Sequence, residues 1–163
     1  MTLAVEQVDV EQVRELRHDV LRGPAFPWSE SVYPADDDPR TLHLAGHADG
    51  LLVGCATWFP EPWPTTSTGP EPLEEAGHGP TPPEATWRLR GMAVAPQAQR
   101  SGVGSLLMER AFDLMRQRGA RLLWCNARTS ALPFYEAHGF RRHGETFLSV
   151  GDIPHVVAYR HLP

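Results

Sequence analysis

The pattern of apolar and polar residues at the start of the chain predicts a strand followed by a helix. Residues 3–8 alternate loosely between the two types, as a strand with one buried face does. Asp9 is a residue type that caps helices, and apolar residues then recur at helical spacing on one side. Gly23 and Pro24 predict the end of this helix, because proline cannot continue it.

Three further strands are predicted in front of a long helix. Residues 41–48 and 51–59 form a hairpin, joined across an Asp-Gly dipeptide that suits a tight turn. Residues 86–94 form the next strand, whose end is apolar on both faces, as is typical of a central strand. The helix that follows carries apolar residues at helical spacing from Val103 and stops at Gly119.

The remaining elements complete an α/β order. They are a short buried strand, a short helix and two final strands, at residues 122–125, 131–137, 145–150 and 155–161. The order βα–ββ–β–α–β–α–ββ predicts a mixed sheet with helices packed on it. A length of 163 residues suits one core, so residues 1–163 are predicted to form a single domain.

One segment interrupts this pattern. Residues 60–83 contain eight prolines and three glycines, with few large apolar side chains. Neither a strand ladder nor a helix tolerates so many prolines. We interpret the segment as an insertion within the domain, because neither flank is able to fold as a full domain alone.

Composition and charge exclude several classes of function. Hydrophobic residues make up 41% of the chain and charged residues 21%, which is typical of a soluble protein. There is no run of roughly 20 apolar residues and no secretory signal at the start, so we expect a cytoplasmic protein without a membrane partner. The net charge of −5 argues against nucleic acid as a partner. Cys55 and Cys125 stand alone in apolar surroundings and are expected to be buried, reduced thiols.

Two groups of polar residues have alternative interpretations. Asp36, Asp37 and Asp38 are adjacent, but consecutive residues do not converge on one metal ion without a special turn, so a solvated loop is preferred. His43 and His47 lie four apart in a strand and share a face, and solvation of an edge strand is preferred for them. We therefore expect no metal site.

The most informative feature is the junction between the strand that ends at Val94 and the next helix. Pro96 ends the strand, while Gly102 and Gly104 let the backbone approach a ligand where a Cβ atom would collide. Unpaired N–H groups and the helix dipole favour an anion there, and Arg100 adds positive charge. The Walker spacing and the third glycine of the dinucleotide fingerprint are both absent, which argues against those nucleotide sites. A glycine turn used only for close packing is the alternative.

Three blocks of the sequence together resemble the GNAT superfamily of N-acetyltransferases. Residues 89–96 are similar to the family's central strand, and residues 99–104 to its Q/R-x-x-G-x-G/A signature. Residues 131–140 are similar to its A-x-x-x-Y-E-x-x-G-F block. The resemblance extends over about residues 86–140, and the flanks agree only in the order of elements.

The resemblance implies a GNAT-like fold with acetyl-CoA as co-substrate. The mixed sheet would have six or seven strands, splayed at the central strand into a cleft, with about four helices beside it. Residues 99–104 would bind the pyrophosphate, and the main chain near Met92 and Val94 would pair with the pantetheine and polarise the thioester carbonyl. Arg128 stands where many members have asparagine, so Asn126 is the candidate there. The implied cofactor-binding residues are Met92, Ala93, Val94, Gln99, Arg100, Ser101, Gly102, Val103, Gly104 and Asn126.

The resemblance also implies a catalytic residue, Tyr135, whose O–H would protonate the departing CoA thiolate. Packing at a helix–strand corner is the alternative role for this ring. The glutamate that often serves as base on the family's central strand is missing, since Arg88 and Arg90 occupy that stretch. His155, Glu84 or a chain of waters are the candidates for the base.

The implied reaction moves an acetyl group from acetyl-CoA to a primary amine by direct attack in a ternary complex, without a metal. The acceptor would be a small-molecule or peptide amine, and a homodimer is left open. Two alternatives keep the fold: an acyl-CoA-binding sensor that has lost catalysis, and an enzyme that uses a larger acyl-CoA.

Overall fold

The computed structural model describes residues 1–64 and 81–163. The insertion predicted at residues 60–83 therefore lies mostly outside the described residues. The strands are β1 (Leu3–Val8), β2 (Leu42–Ala48), β3 (Leu51–Pro60), β4 (Thr86–Val94), β5 (Leu122–Arg128), β6 (Arg141–Ser149) and β7 (Ile153–His161). The α-helices in the described part of the chain are α1 (Arg14–Leu21), α2 (Val103–Gln117) and α3 (Leu132–Ala137).

The seven strands form one sheet in the order β1-β2-β3-β4-β5-β7-β6. The element order and the α/β class predicted from the sequence are both confirmed. About four helices were expected, and residues 1–64 and 81–163 hold three. The connection from β4 to its neighbour β5 passes through α2, as is typical of parallel strands, whereas β1, β2 and β3 pair antiparallel. Each helix in these two stretches is too short or too polar to cross a lipid bilayer.

Residue contacts divide the chain into two compact units. The first comprises residues 1–59 and 89–114, and the second comprises residues 60–88 and 115–163.

The first unit contains the predicted hairpin and the start of α2. Asp49 and Gly50 both have positive φ angles, 50° and 82°, as expected for the two-residue turn that matches strand twist. Glycines at 46 and 54 let α2 pack closely on β2 and β3. A Cβ atom at Gly46 would lie 2.7 Å from Val103 Cγ2, and one at Gly54 would lie 3.0 Å from the Leu107 side chain. The helix start is therefore fixed against these two strands.

The second unit contains the antiparallel strands β5, β7 and β6. Each runs longer than its sequence pattern indicated, because polar ends such as Asn126 and Arg128 continue the ladder with β7. An aromatic cluster packs on one face of these strands. Its buried members are Trp63, Leu122, Trp124 and Val157.

Two interpretations of polar residues were wrong. Asp36 does not lie in a solvated loop: it belongs to a 3-10 turn and is only 5% exposed. His43 is also buried, because β2 lies between β1 and β3 and is not an edge strand. Both side chains are hydrogen-bonded inside the first unit, which compensates for their burial. The expectation of buried, free thiols at Cys55 and Cys125 is confirmed.

Candidate active site

The loop between β4 and α2 has an unusual backbone. A 3-10 turn at Pro96–Ala98 follows the strand, and α2 begins at Val103. Arg100 has a φ of 63° and Gly102 a φ of 97°. A left-handed conformation is uncommon for a residue other than glycine, and such residues concentrate at functional sites. The loop geometry thus singles out the segment that the sequence pattern predicted.

Three backbone donors of this loop are available to a ligand. Within residues 1–64 and 81–163, the N–H groups of Arg100, Gly102 and Gly104 donate to no protein acceptor. In the first turn of α2, the N–H of Leu106 donates to the Gly102 carbonyl at 3.0 Å. The partial positive charge of the α2 dipole adds to these donors. Such a loop fits a phosphate or diphosphate group.

The loop is anchored at both of its ends. The Gln99 side chain donates from Nε2 to the Val94 carbonyl at 3.2 Å, and the Ala95 N–H donates to the Val53 carbonyl at 2.8 Å. Val103 is fully buried, whereas Arg100 is exposed. The backbone donors are therefore held by the sheet, and the arginine is accessible to an anion.

The end of β4 presents its side chains alternately to the core and away from it. Ala93 is buried and packs with Val13 and Cys55, while Met92 and Val94 are half-buried. The Ala93 side chain is therefore part of the core, and only its main chain remains for ligand binding.

Tyr135 lies on α3 in the second unit and is buried. Its ring packs edge-on against Phe134 and Phe140, with centroids 5.4 and 5.6 Å away. Burial raises the pKa of its hydroxyl well above the usual value, and Cys125 adds to this while Arg128 opposes it. The phenol is therefore protonated at neutral pH, and its O–H is a hydrogen-bond donor.

His155 lies opposite Arg128 on the paired strands β7 and β5. Its Nδ1 is 2.7 Å from the Ile153 carbonyl, which can only accept a hydrogen bond. Nδ1 therefore carries the proton of the neutral ring, and Nε2 keeps the lone pair that a base needs. Asn126 is exposed on the same face of β5 as Arg128. The second unit thus groups Asn126 and His155, while the alternative Glu84 is exposed in a 3-10 turn.

One buried polar cluster was missed by the sequence analysis. Arg17 of α1 forms an ion pair with Asp36, and both side chains are almost fully buried. The signal was present in the helical spacing, since Arg17 lies four residues after Val13 on the apolar side of α1. The described residues hold no group of three or more His, Cys, Asp or Glu side chains able to bind a metal ion.

Comparisons with known proteins identify the family of this chain. The profile of the Acetyltransferase (GNAT) family matches residues 10–140. The N-acetyltransferase YitI of Bacillus subtilis is 31% identical, with 98% of this chain and 97% of that protein aligned. The [Ribosomal protein bS18]-alanine N-acetyltransferase of Escherichia coli is 30% identical over 76% of this chain and 70% of its own length.

A solved structure shows the same fold. The acetyltransferase yncA of Salmonella typhimurium, solved with its cofactor acetyl-CoA, superposes with a TM-score of 0.68 at 16% identity. That alignment covers 100% of this chain and 95% of yncA. The chain therefore belongs to the GNAT family of acetyltransferases and is an acetyl-CoA-dependent acyltransferase.

Proposed function

We propose that this enzyme transfers the acetyl group of acetyl-CoA to a primary amine of its acceptor, by direct attack in a ternary complex. The observation that carries the proposal is the set of three backbone N–H groups, at Arg100, Gly102 and Gly104, that donate to no acceptor among the described residues. Donors held in advance at a helix start bind a diphosphate without further ordering of the loop.

The proposed binding roles use the loop and the end of β4. The main chain of residues 99–104 holds the pyrophosphate, and the exposed Arg100 supplies a full positive charge beside it. The main chain at Met92 and Val94 pairs with the pantetheine, and Asn126 contributes a side-chain amide. Bound acetyl-CoA supplies the activated thioester for the transfer.

The chain's own groups handle two protons. The amine attacks in its neutral form, and Nε2 of His155, which carries a lone pair, takes the proton that the amine nitrogen loses as it bonds to the acetyl carbon. A bond forms between the amine nitrogen and the acetyl carbon, and the bond from that carbon to sulfur breaks. Tyr135 gives its phenolic proton to the departing thiolate. The atoms balance as an amide, a free CoA thiol, a protonated His155 and a deprotonated Tyr135, which solvent returns to their starting states.

Direct attack is favoured over an acyl-enzyme because the chain lacks a reactive thiolate. Its only two cysteines are Cys55 and Cys125. Burial raises the pKa of each thiol to about 12, with only partial opposition from nearby arginines. A buried neutral thiol is a poor nucleophile. Both thiols therefore argue against an acyl-cysteine intermediate and support direct transfer to the amine.

The acceptor class is proposed as an amine on a small molecule or at a peptide N-terminus. The relative that acetylates an alanine of ribosomal protein bS18 supports including alanine-terminated peptides among the candidates.

The test combines calorimetry with a turnover assay. Acetyl-CoA is expected to bind, and acetyl-pantetheine, which lacks the pyrophosphate, is expected to bind at least about 100-fold more weakly, a difference of about 2.7 kcal/mol. Release of the CoA thiol is then measured in the presence of polyamines, amino acids, aminoglycosides or peptides that begin with alanine. If acetyl-CoA and acetyl-pantetheine bound with equal affinity, the proposal that the loop binds the pyrophosphate would be wrong. If no amine accelerated the release of the CoA thiol, the proposed transfer to an amine would be contradicted.

A further inference from the structure

The central strand contains a left-handed residue close to the proposed thioester site. Gly91 has a φ of 65° in the middle of β4, three residues before Val94. A side chain is rarely compatible with that φ, so the strand departs from regular geometry at this point. Met92 and Val94 follow Gly91 in the same strand. Contacts that fix the backbone of Gly91 therefore also fix the position of the main chain at these two residues.

Arg17 packs directly against this glycine. A Cβ atom at Gly91 would lie 2.9 Å from Arg17 Nε and 3.3 Å from the Tyr33 ring. The Cys55 thiol donates to the Gly91 carbonyl at 3.4 Å. Burial raises the pKa of that thiol to about 12, so it keeps its proton and remains a donor. Gly91 is therefore held by its carbonyl and by the contact on its Cα.

The Arg17 guanidinium is itself fixed from several directions. Its terminal nitrogens donate to both carboxylate oxygens of Asp36, at 2.9 and 3.1 Å, and to the Thr57 hydroxyl at 2.7 Å. A further hydrogen bond of 2.9 Å reaches the Ser31 carbonyl. The guanidinium carbon lies 4.0 Å from the centroid of the Tyr33 ring. A side chain held in this way has one position.

The nitrogen that faces Gly91 is the one without a hydrogen bond. Arg17 Nε is buried and has no partner in the described structure, whereas the four donor contacts above use the terminal nitrogens. A buried ion pair is weak as a source of stability, since well-packed apolar side chains often replace it without loss. The buried arginine is better explained by the rigid contact that it makes with the strand.

We propose that Arg17 is a positioning residue for acetyl transfer: locked by Asp36 and Thr57, it holds the Gly91 distortion and so places the β4 main chain that contacts the thioester. The inference rests on the proposed function of Met92 and Val94. Because a displacement of about 1 Å can cost about 100-fold in rate, a modest shift of this strand would be visible in turnover.

The experiment compares Arg17→Lys and Thr57→Val with a control on the same helix. Arg14→Gln is matched, because Arg14 also reaches Asp36, at 3.4 Å, but does not contact Gly91. The amide spectrum of ¹⁵N-labelled protein is recorded for each variant. Then kcat and the KM for acetyl-CoA are measured at a temperature where every variant is folded.

We expect the amide resonances of residues 90–94 to shift in Arg17→Lys and, less, in Thr57→Val, but not in Arg14→Gln. In Arg17→Lys, kcat should fall by about 10-fold or more, while the KM for acetyl-CoA changes by less than about 3-fold because residues 99–104 are untouched. If Arg17→Lys does not fold, the Thr57→Val variant tests the inference instead. It removes one hydrogen-bond acceptor of Arg17 and leaves the ion pair between Arg17 and Asp36 intact.

Unshifted resonances at residues 90–94, or a loss of kcat no larger than that of Arg14→Gln, would overturn the inference. The spectra need no turnover, so they separate this result from failure of the proposed function. A wild-type enzyme that neither binds acetyl-CoA nor acetylates an amine would overturn the proposed function, whatever the spectra show.

Discussion

The His43 ring accepts a hydrogen bond from the Thr57 hydroxyl, at 2.9 Å through Nδ1. The direction follows from the other ring nitrogen: Nε2 is 3.1 Å from the Asp36 carbonyl, which can only accept. Thr57 in turn accepts from Arg17 at 2.7 Å. The chain of donors and acceptors is complete only while His43 is neutral. If Nδ1 were protonated, its hydrogen would point at the hydrogen of the Thr57 hydroxyl, which donates to this nitrogen when His43 is neutral.

This arrangement predicts that stability falls in mild acid. Burial lowers the pKa of His43, while the hydrogen bond and charge of Asp36 oppose the shift and Arg17 and Arg14 reinforce it. Below pH about 6.5 the unfolded chain binds a proton that folded His43 does not, so this stabilisation is complete above that pH and is lost below it. Urea unfolding from pH 8 to 5 should show a smaller slope with pH in His43→Gln. Equal slopes for His43→Gln and the wild type would contradict the assignment.

The lowered pKa of the Asp36 carboxylate predicts a second loss of folding stability at lower pH. Burial raises the pKa of this group, but hydrogen bonds from Arg17 and Tyr33 and nearby positive charges outweigh it and hold the pKa below 3.8. The stabilisation is therefore complete above pH about 3.9 and is lost as the pH falls through the folded-state value. In Asp36→Asn, the free energy of unfolding should be lower at neutral pH and should depend less on pH between 4 and 2. An unchanged acid transition would show that the pair is not formed in solution.

Gly102→Glu should abolish binding of acetyl-CoA while leaving the fold intact. An added Cβ meets only Leu3, at 3.6 Å, but the φ of 97° costs any side chain about 1–2 kcal/mol. The carboxylate would repel the pyrophosphate, and we expect affinity to fall by at least about 100-fold in calorimetry. Gly119→Glu is the matched control, because Gly119 also has a positive φ, 76°, with open space around it. Normal binding by Gly102→Glu would place the pyrophosphate elsewhere.

Tyr135→Phe should slow turnover without weakening the binding of acetyl-CoA. Loss of a general acid costs about 100-fold or more, while the buried ring keeps its packing against Phe134 and Phe140. Steady-state kinetics and calorimetry together check both parts. Tyr159→Phe removes a phenol from β7 and should leave kcat within about 2-fold. Equal rates for Tyr135→Phe and the wild type would leave Tyr135 with a packing role only.

His155→Ala should lower kcat by about 100-fold if Nε2 takes the proton of the amine. Added imidazole is expected to restore part of the lost rate, because it supplies the missing base without restoring any packing. The measurement is kcat against imidazole concentration, at a pH where imidazole is partly neutral. A variant with full activity would point instead to Glu84 or to water as the base.

Local sequence was sufficient wherever neighbours along the chain decide the structure. The Asp-Gly pair predicted the hairpin turn at Asp49, and apolar spacing predicted α2, because turn geometry and helix periodicity depend on residues a few positions apart. The loop at residues 99–104 was recognised for the same reason: a strand end, two glycines and a helix start follow one another without a gap.

The sequence pattern misassigned Asp36 and His43 because their burial depends on contacts with residues far away in the chain. Nothing near Asp36 in sequence indicates that Arg17 lies 2.9 Å away, because the pair joins residues nineteen positions apart. His43 was assigned to an edge strand since the position of a strand within a sheet depends on its partners and not on its own residues.

The sequence by itself therefore determined the order of elements and the family, and it predicted the loop at residues 99–104, because all three depend on short-range spacing. Only the tertiary structure decided that Arg17, Asp36 and Thr57 form one buried cluster against Gly91. The physical reason is that a charge is buried only where the fold brings a partner to it, and that partner can stand anywhere in the chain.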